Sequence, residues 1–492
     1  MGKKVRKVNA HRRRRHIAWL YQNERNQYYK NATKKTLKAQ DKKVSIVIPV
    51  YNTPDRYILP LIDSVYNQGY ENWELVLADG SSNQERAKSI KKYSEKDRRI
   101  VYKKIKNQGI AGNTNQAISL ATGDFIAFMD HDDMLDPDAL AESVDVLNNY
   151  PEFGLVYSDE DKISDDGDQY LNPHFKPGFS LDMLRNVNYI THFVVVRKEL
   201  VDKIGGIREG FDGAQDYDFL LRLVDEGVKF AHIPKILYHW RIADNSTASD
   251  FSNKKEVLDA GCRALDDHYK RNEIRNVRTV SIENKPGFYK PEYKLSKGID
   301  RVIYVNLDKF KLSSKENDWV LDKFKSLDDV RKFNIRIVKD RKEVADDSQV
   351  LVVAESCIPI DNKQDIASLF GLAEEVGVYG VSPKIVQHNR IMSIGDLNIF
   401  HNVAKNEFFG LSEWARNSNK ISRDVYIKNN KAKNDGRRAI WSHCEFAMLS
   451  IIDNEKLDKE DLVSFSNRNV TYNSDIVIKH VDYIGDRLEG EL

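Results

Sequence analysis

Cysteine is scarce in this 492-residue chain: Cys262, Cys357 and Cys444 are the only three. They are far apart and lack metal-ligand spacing, so they exclude a disulfide framework and fit a reducing compartment. Long apolar runs are missing too. None approaches the roughly 20 residues of a membrane-spanning helix. The start, Lys3 to Arg15, leads only into the short apolar patch Ile17 to Tyr21, which is not a secretory signal. These absences predict a cytoplasmic protein with at most peripheral membrane contact. The chain as a whole is not strongly charged, at +2, but the charge is uneven. Met1 to Lys43 holds fifteen Lys and Arg against two acids, which leaves the remainder acidic. With 41% hydrophobic residues, the chain can bury the cores of two or three domains.

Beyond the basic arm at 1–43, short buried strands alternate with helical patterns. Strands are predicted at Val44 to Pro49, Trp73 to Ala78, Ile100 to Lys103, Phe125 onward and Gly154 to Tyr157. Helices are predicted over 56–67, 84–93, 111–121 and 254–271. This alternation implies a parallel sheet with helical crossovers. Prolines, glycine and charges near 285–291 read as part of a linker, 281–300. A strand at Arg301 to Leu307 opens a second α/β region that reaches residue 492.

The chemistry-bearing residues cluster at strand ends. The apolar run Phe125 to Met129 stops abruptly at Asp130-His131-Asp132-Asp133. Strand tips of open α/β sheets are where ligands bind. Carboxylates gathered there repel one another unless a cation lies between them. Magnesium or manganese takes such oxygens, often shared with substrate phosphates. The run also reads as an acidic turn before a helix near Pro137, with Asp136 as its cap. Pro49-Val50-Tyr51-Asn52 either flanks a planar base or simply ends a strand. Asp79-Gly80-Ser81-Ser82 either accepts from a pyrimidine N3–H or forms a turn. The helix opening at Asn107 to Asn115 exposes N–H groups suited to an anion, without a dinucleotide fingerprint or phosphate-loop lysine. Asp216, at a helix start, is either a cap or a general base. His239, in Tyr238-His239-Trp240-Arg241, is a metal ligand, a sugar or phosphate contact, or a core histidine.

In this order the pieces resemble inverting glycosyltransferases of family two, which have a GT-A fold. The resemblance covers about Val44 to Ala248. It rests on VSIVIPVYN, LADGSS, NQGIAGNTNQAISLATGDF, the D-x-D run, YSDEDKI, GAQDYDFLLRL and YHWR. The last three look like a bacterial branch that builds cell-surface polysaccharides, rhamnose-containing ones included. The implied fold class is α/β: a GT-A nucleotide-diphospho-sugar transferase domain, Rossmann-like, at 44–280. A degenerate GT-A-like domain would follow at 301–492.

The resemblance also implies roles. Pro49, Tyr51 and Asn52 would line the nucleotide pocket, with Asp79 on uracil or thymine and Asn115 among the donor contacts. Asp130 would meet the ribose and share with Asp132 a Mn2+ or Mg2+ ion on the diphosphate. His239 would be a further metal ligand or diphosphate contact, and Arg241 would face the leaving group. Asp216 would be the catalytic base, with Asp218 and Asp161 in reserve. Two departures are Ala78, where the family often has a second acid, and Gln215, where many members carry Glu.

The implied activity is metal-dependent inverting transfer of a hexosyl or rhamnosyl group from a UDP- or dTDP-sugar. The acceptor would be a hydroxyl of a growing, lipid-linked bacterial surface glycan. A protein acceptor and a non-catalytic scaffold are the alternatives. The arm, with Arg12 to Arg15 beside Trp19 and Tyr21, suits an anionic membrane surface at the inner face of the plasma membrane, and no nucleic-acid partner is expected. In the second region, Val350 to Cys357 occupies the place of a strand and its acids, but Ser356 and Cys357 cannot replace aspartates on a hard metal. Gly377 to Gln387, Lys459 to Leu462 and Ile478 to His480 echo later segments of the first region.

Overall fold

The computed structural model describes residues 42–82, 87–174, 176, 178–179, 181–242, 255–282, 286–305, 307, 313–345 and 348–353. It also describes 357–359, 366–373, 380–387, 390–393, 451–453 and 470–480. The arm up to residue 41 and the echo at 459–462 therefore lie outside the described residues.

The first region is built on one nine-stranded mixed sheet. Its strands are β1 (Val44–Val50), β2 (Trp73–Asp79), β3 (Ile100–Lys104), β4 (Phe125–Phe128) and β5 (Met134–Leu135), then β6 (Phe153–Ile163), β7 (Tyr170–His174), β8 (Val194–Arg197) and β9 (Lys229–Arg241). The order is β3-β2-β1-β4-β8-β6-β9-β5, with β7 paired to β6. The first four strands run parallel to one another, and β8 is antiparallel to both β4 and β6. The sheet has the GT-A fold class that the motifs imply, but it is mixed and not parallel throughout as the alternation predicts, because β8, β5 and β7 pair antiparallel.

The run VSIVIPV is apolar on both sides because both sheet faces are covered. Ile46, Ile48, Leu75 and Leu77 pack against α1 (Asp55–Tyr66), α2 (Ala87–Lys96) and α4 (Ala139–Asn149). Val47, Val76 and Ile126 pack on the other face, where α3 (Gly109–Leu120), α7 (Gln215–Asp225) and α8 (Lys255–Arg271) lie. The helices α5 (Leu181–Leu184) and α6 (Lys198–Lys203) are short. On β9 the ladder skips Pro234 and Lys235, passing from Ser158↔Ile233 to Asp159↔Ile236. Proline has no N–H for the ladder, so a bulge forms there.

One expectation is corrected. The segment taken as the linker 281–300 is not an open connector. Val277–Ser281 and Tyr289–Tyr293, strands β10 and β11, form an antiparallel ribbon. Its Tyr289 is buried against Gly261 of α8, where any Cβ would stand 2.0 Å from the tyrosine Oη. The turn between the strands carries Gly287 at positive φ. Apolar burial outweighs the breaker composition of the segment.

Further on, β12 (Arg301–Val305) lies between β13 (Arg336–Val338) and β14 (Gln349–Val353), parallel to both. Cys357–Pro359 pairs antiparallel with the end of Val470–His480. Among the described residues no helix is long and apolar enough to cross a membrane.

Candidate active site

The acid run hangs between the central strand β4 and the edge strand β5, which pairs with Tyr238 and His239 of β9. Its three aspartates have different environments. Asp133 is fully buried, accepting from Tyr238 Oη at 2.5 Å and from the Arg241 backbone N–H at 2.7 Å. Burial, then the charges of Asp132 and Asp130, push its carboxyl well above the usual range. It is a structural anchor for the run. Asp130 is half exposed and faces His192, with Nε2 to Oδ2 at 3.5 Å. Burial of its surroundings disfavours its charge, but the His192 imidazolium outweighs this and holds the Asp130 carboxyl below its ordinary value. Asp132 is 22% exposed. Burial and the Asp130 charge raise its carboxyl, against the pull of His131 and Arg241.

A cavity of about 700 Å³ opens beside this run, between the sheet and α3, α7 and α8. Pro49, Asp130, His192 and Asp216 all line it. Asp216 sits in the first turn of α7, where the helix dipole favours an anion. It accepts from Asn188 Nδ2 at 3.0 Å and from the Tyr217 N–H at 2.8 Å. Burial nevertheless raises its carboxyl above the ordinary value, with Asp130 adding to the rise and His192 opposing it. A raised, still accessible carboxylate suits a general base. Its apolar neighbours Phe219 and Leu220 face the same cavity.

At the other end, Asn52 holds the β1 turn at φ +52, its N–H on Ser81 Oγ at 2.7 Å. Its Oδ1 receives the Ser82 N–H at 3.2 Å, which joins the two turns. Tyr51 is 47% exposed beside them. Asp79 is buried and accepts from the Ser81 N–H (2.8 Å) and Tyr102 Oη (2.7 Å), with Lys104 Nζ at 3.6 Å.

Among the described residues no three His, Cys, Asp or Glu side chains form a metal cage. Asp130 and Asp132 still suit a hard divalent cation. The Asp130 charge raises the Asp132 carboxyl, and Asp130 opens onto the cavity. Such ions commonly take one or two carboxylates and complete their shell with phosphate and water.

The family model described as Glycosyl transferase family 2 matches residues 45–205. This segment is a family 2 glycosyltransferase domain. The chain is 40% identical over 241 residues to the uncharacterized protein y4gI of Sinorhizobium fredii, covering 48% of this chain and 26% of that protein. It is 37% identical over 230 residues to the O-antigen biosynthesis protein RfbC of Myxococcus xanthus, covering 46% and 18%. It is 30% identical over 196 residues to a chondroitin synthase of Escherichia coli, covering 40% and 28%. The chain therefore spans less than a third of the length of each of these relatives.

Several expected site residues of the family 2 domain prove to be occupied elsewhere. Asn115 uses both amide atoms on the backbone of Ile207, donating to its carbonyl (2.7 Å) and accepting from its N–H (2.8 Å). It pins a loop. His239 does not join Asp130 and Asp132. The β6–β9 ladder pairs Glu160 with Tyr238 and Asp161 with His239, and successive pairs face opposite sides. His239 Nδ1 bonds Asp161 at 2.6 Å, and the ring lines a separate hollow with Tyr170 and Met134. Arg241 is buried and bonds the carbonyls of Asp132 (2.7 Å), Ser164 (3.2 Å) and Asp165 (3.1 Å). It braces the acid run from behind. Of the reserve bases, Asp161 is committed to His239 and Asp218 to Arg208 and Arg222.

The cavity residue that sequence reading missed is His192. It is a single histidine in an irregular loop, and its partners are distant in sequence. Nothing local marks it. The Glu160 of the YSDEDKI segment was the available clue. Glu160 is nearly buried, and its partners are not the neighbouring Lys162 but Lys176, His174 and His192.

Proposed function

We propose that this cavity transfers a sugar, with inversion, from a UDP- or dTDP-sugar to a hydroxyl of a cell-surface polysaccharide. The observation that carries the reading is the sharing of one cavity by Asp130, beside Asp132, and Asp216. Asp216 accepts the acceptor proton as the acceptor oxygen attacks the anomeric carbon. The bond from that carbon to the donor phosphate oxygen breaks on the opposite face, and the nucleoside diphosphate leaves with the electron pair. Asp132, with Asp130, would hold Mn2+ or Mg2+, which neutralises diphosphate charge when bound. Pro49, Tyr51, Asn52 and Asp79 form the nucleoside end.

Relatives named for O-antigen biosynthesis and chondroitin synthesis support a polysaccharide acceptor. A lipid-linked acceptor at the inner membrane face fits the basic arm at 1–43, whose cations would be attracted to anionic lipid. The region from 301 onward is read as a non-catalytic second domain. Asp216→Asn tests the core of the reading. Transfer should fall by roughly 10²–10⁴-fold, the usual contribution of a general base, while calorimetry still records nucleotide binding. Wild-type transfer by this variant removes Asp216 from the mechanism.

A further inference from the structure

The surroundings of His192 go beyond what packing requires. Its backbone N–H donates to Glu160 Oε2 at 2.5 Å, and its carbonyl accepts from Lys176 Nζ. The ring is stacked on Tyr238, with centroids 5.0 Å apart and planes 14° apart, and Trp240 lies at 6.0 Å. Nδ1 stands 3.5 Å from Glu160 Oε2, and Nε2 stands 3.5 Å from Asp130 Oδ2. The ring also forms part of the cavity wall between Asp130 and Asp216.

Lys176 is 1% exposed, so solubility does not account for its charge. It bonds Glu160 at 3.2 Å and the carbonyl of Ile190 at 2.9 Å. One buried cation thus fixes both the carboxylate beside Nδ1 and the backbone on either side of Thr191. A core histidine needs none of this. Buried charges are expensive, and an arrangement that uses several to orient one ring points to a geometric task for that ring. The edge left facing the cavity is Nε2, and what it faces is the half-exposed carboxylate of Asp130.

We propose that His192 is a positioning residue: clamped by Glu160, Lys176 and Tyr238, it holds Asp130 in the orientation that receives the nucleoside diphosphate part of the donor. This rests on the function proposed above. His192 acts through Asp130, so its loss weakens donor binding and leaves the acceptor side unchanged.

Two variants separate orientation from packing. His192→Phe keeps a flat ring on Tyr238 but cannot pair with Asp130. His192→Gln gives up the stack but keeps an N–H at similar reach. Full-length wild type and both variants are titrated calorimetrically with UDP and with dTDP, and their melting is followed in parallel. The Phe variant should melt like the wild type and bind about tenfold more weakly, as for a lost charged contact to Asp130. The Gln variant should bind within about threefold of the wild type. In kinetics the Phe variant should raise the donor KM and leave the acceptor KM unchanged. A Phe variant that binds as tightly as the wild type overturns the inference, as does a Gln variant no better than Phe. Wild type that binds neither nucleotide overturns the functional reading and this inference together.

Discussion

Asp216 and Asp218 lie two residues apart on α7, and Asp218→Asn distinguishes their roles. Asp218 is fully buried. It receives Arg222 Nε at 2.8 Å, Arg208 Nε at 3.1 Å and Arg208 Nη2 at 2.5 Å. Arg222, itself only 9% exposed, spends its remaining N–H groups on the carbonyls of Ile204 (2.7 Å) and Gly206 (2.6 Å). Removing the negative charge leaves the Arg222 guanidinium buried without a counterion. Breaking a buried pair from one side costs about 3–5 kcal/mol. Arg208 adds little, because it is a third exposed and keeps Asp267 at 2.7 Å. Asparagine retains the shape and one acceptor, so the lower end, about 3 kcal/mol, is expected. Urea unfolding of the full chain, followed by far-ultraviolet circular dichroism, measures it. Well below the variant's melting midpoint, sugar transfer should stay within about threefold of the wild type, because the base is untouched. A loss of stability under about 1 kcal/mol together with abolished transfer would refute this account and give Asp218 a chemical role.

Other expectations follow from the same geometry. Asp216 must be ionised to accept a proton, and burial raises its carboxyl above 3.8. The kcat–pH profile should therefore fall, as pH drops, through a midpoint above that value; a midpoint at or below it contradicts the assignment. Asn115→Ala should cost about 1–3 kcal/mol by leaving the Ile207 backbone unpaired, with nucleotide binding unchanged by calorimetry. Weakened nucleotide binding at full stability would return Asn115 to the donor site. Gly261→Ala drives a Cβ to 2.0 Å from Tyr289 Oη. Overpacking of about 1–3 kcal/mol, partly offset by better helix propensity, should lower the melting midpoint. An unchanged midpoint would mean that the β10–β11 ribbon does not rest on α8.

Much of the candidate site was legible because its signals are local. A strand that runs Phe, Ile, Ala, Phe, Met and then turns to Asp130-His131-Asp132 announces both a core and a strand tip within eight residues. Asp216 was equally visible, since Phe219, Leu220 and Leu223 define the buried face of α7 and leave the carboxylate at its start. The misplaced residues failed for a common reason: their roles depend on partners supplied by another strand or loop. His239 looked like a ligand because it ends a strand beside Trp240 and Arg241. Its side is decided by the register with β6, which two bulges around Asp159 reset. Asn115 belonged to a suggestive motif, but only the path of the loop at Ile207 shows what its amide holds. His192 had no motif at all, yet it joins the acid run to a buried Glu160–Lys176 pair. Lys162 is two residues from Glu160 but lies over the Trp240 ring, so the buried carboxylate takes a more distant cation. A search begun from Glu160 leads through Lys176 to the ring that faces Asp130.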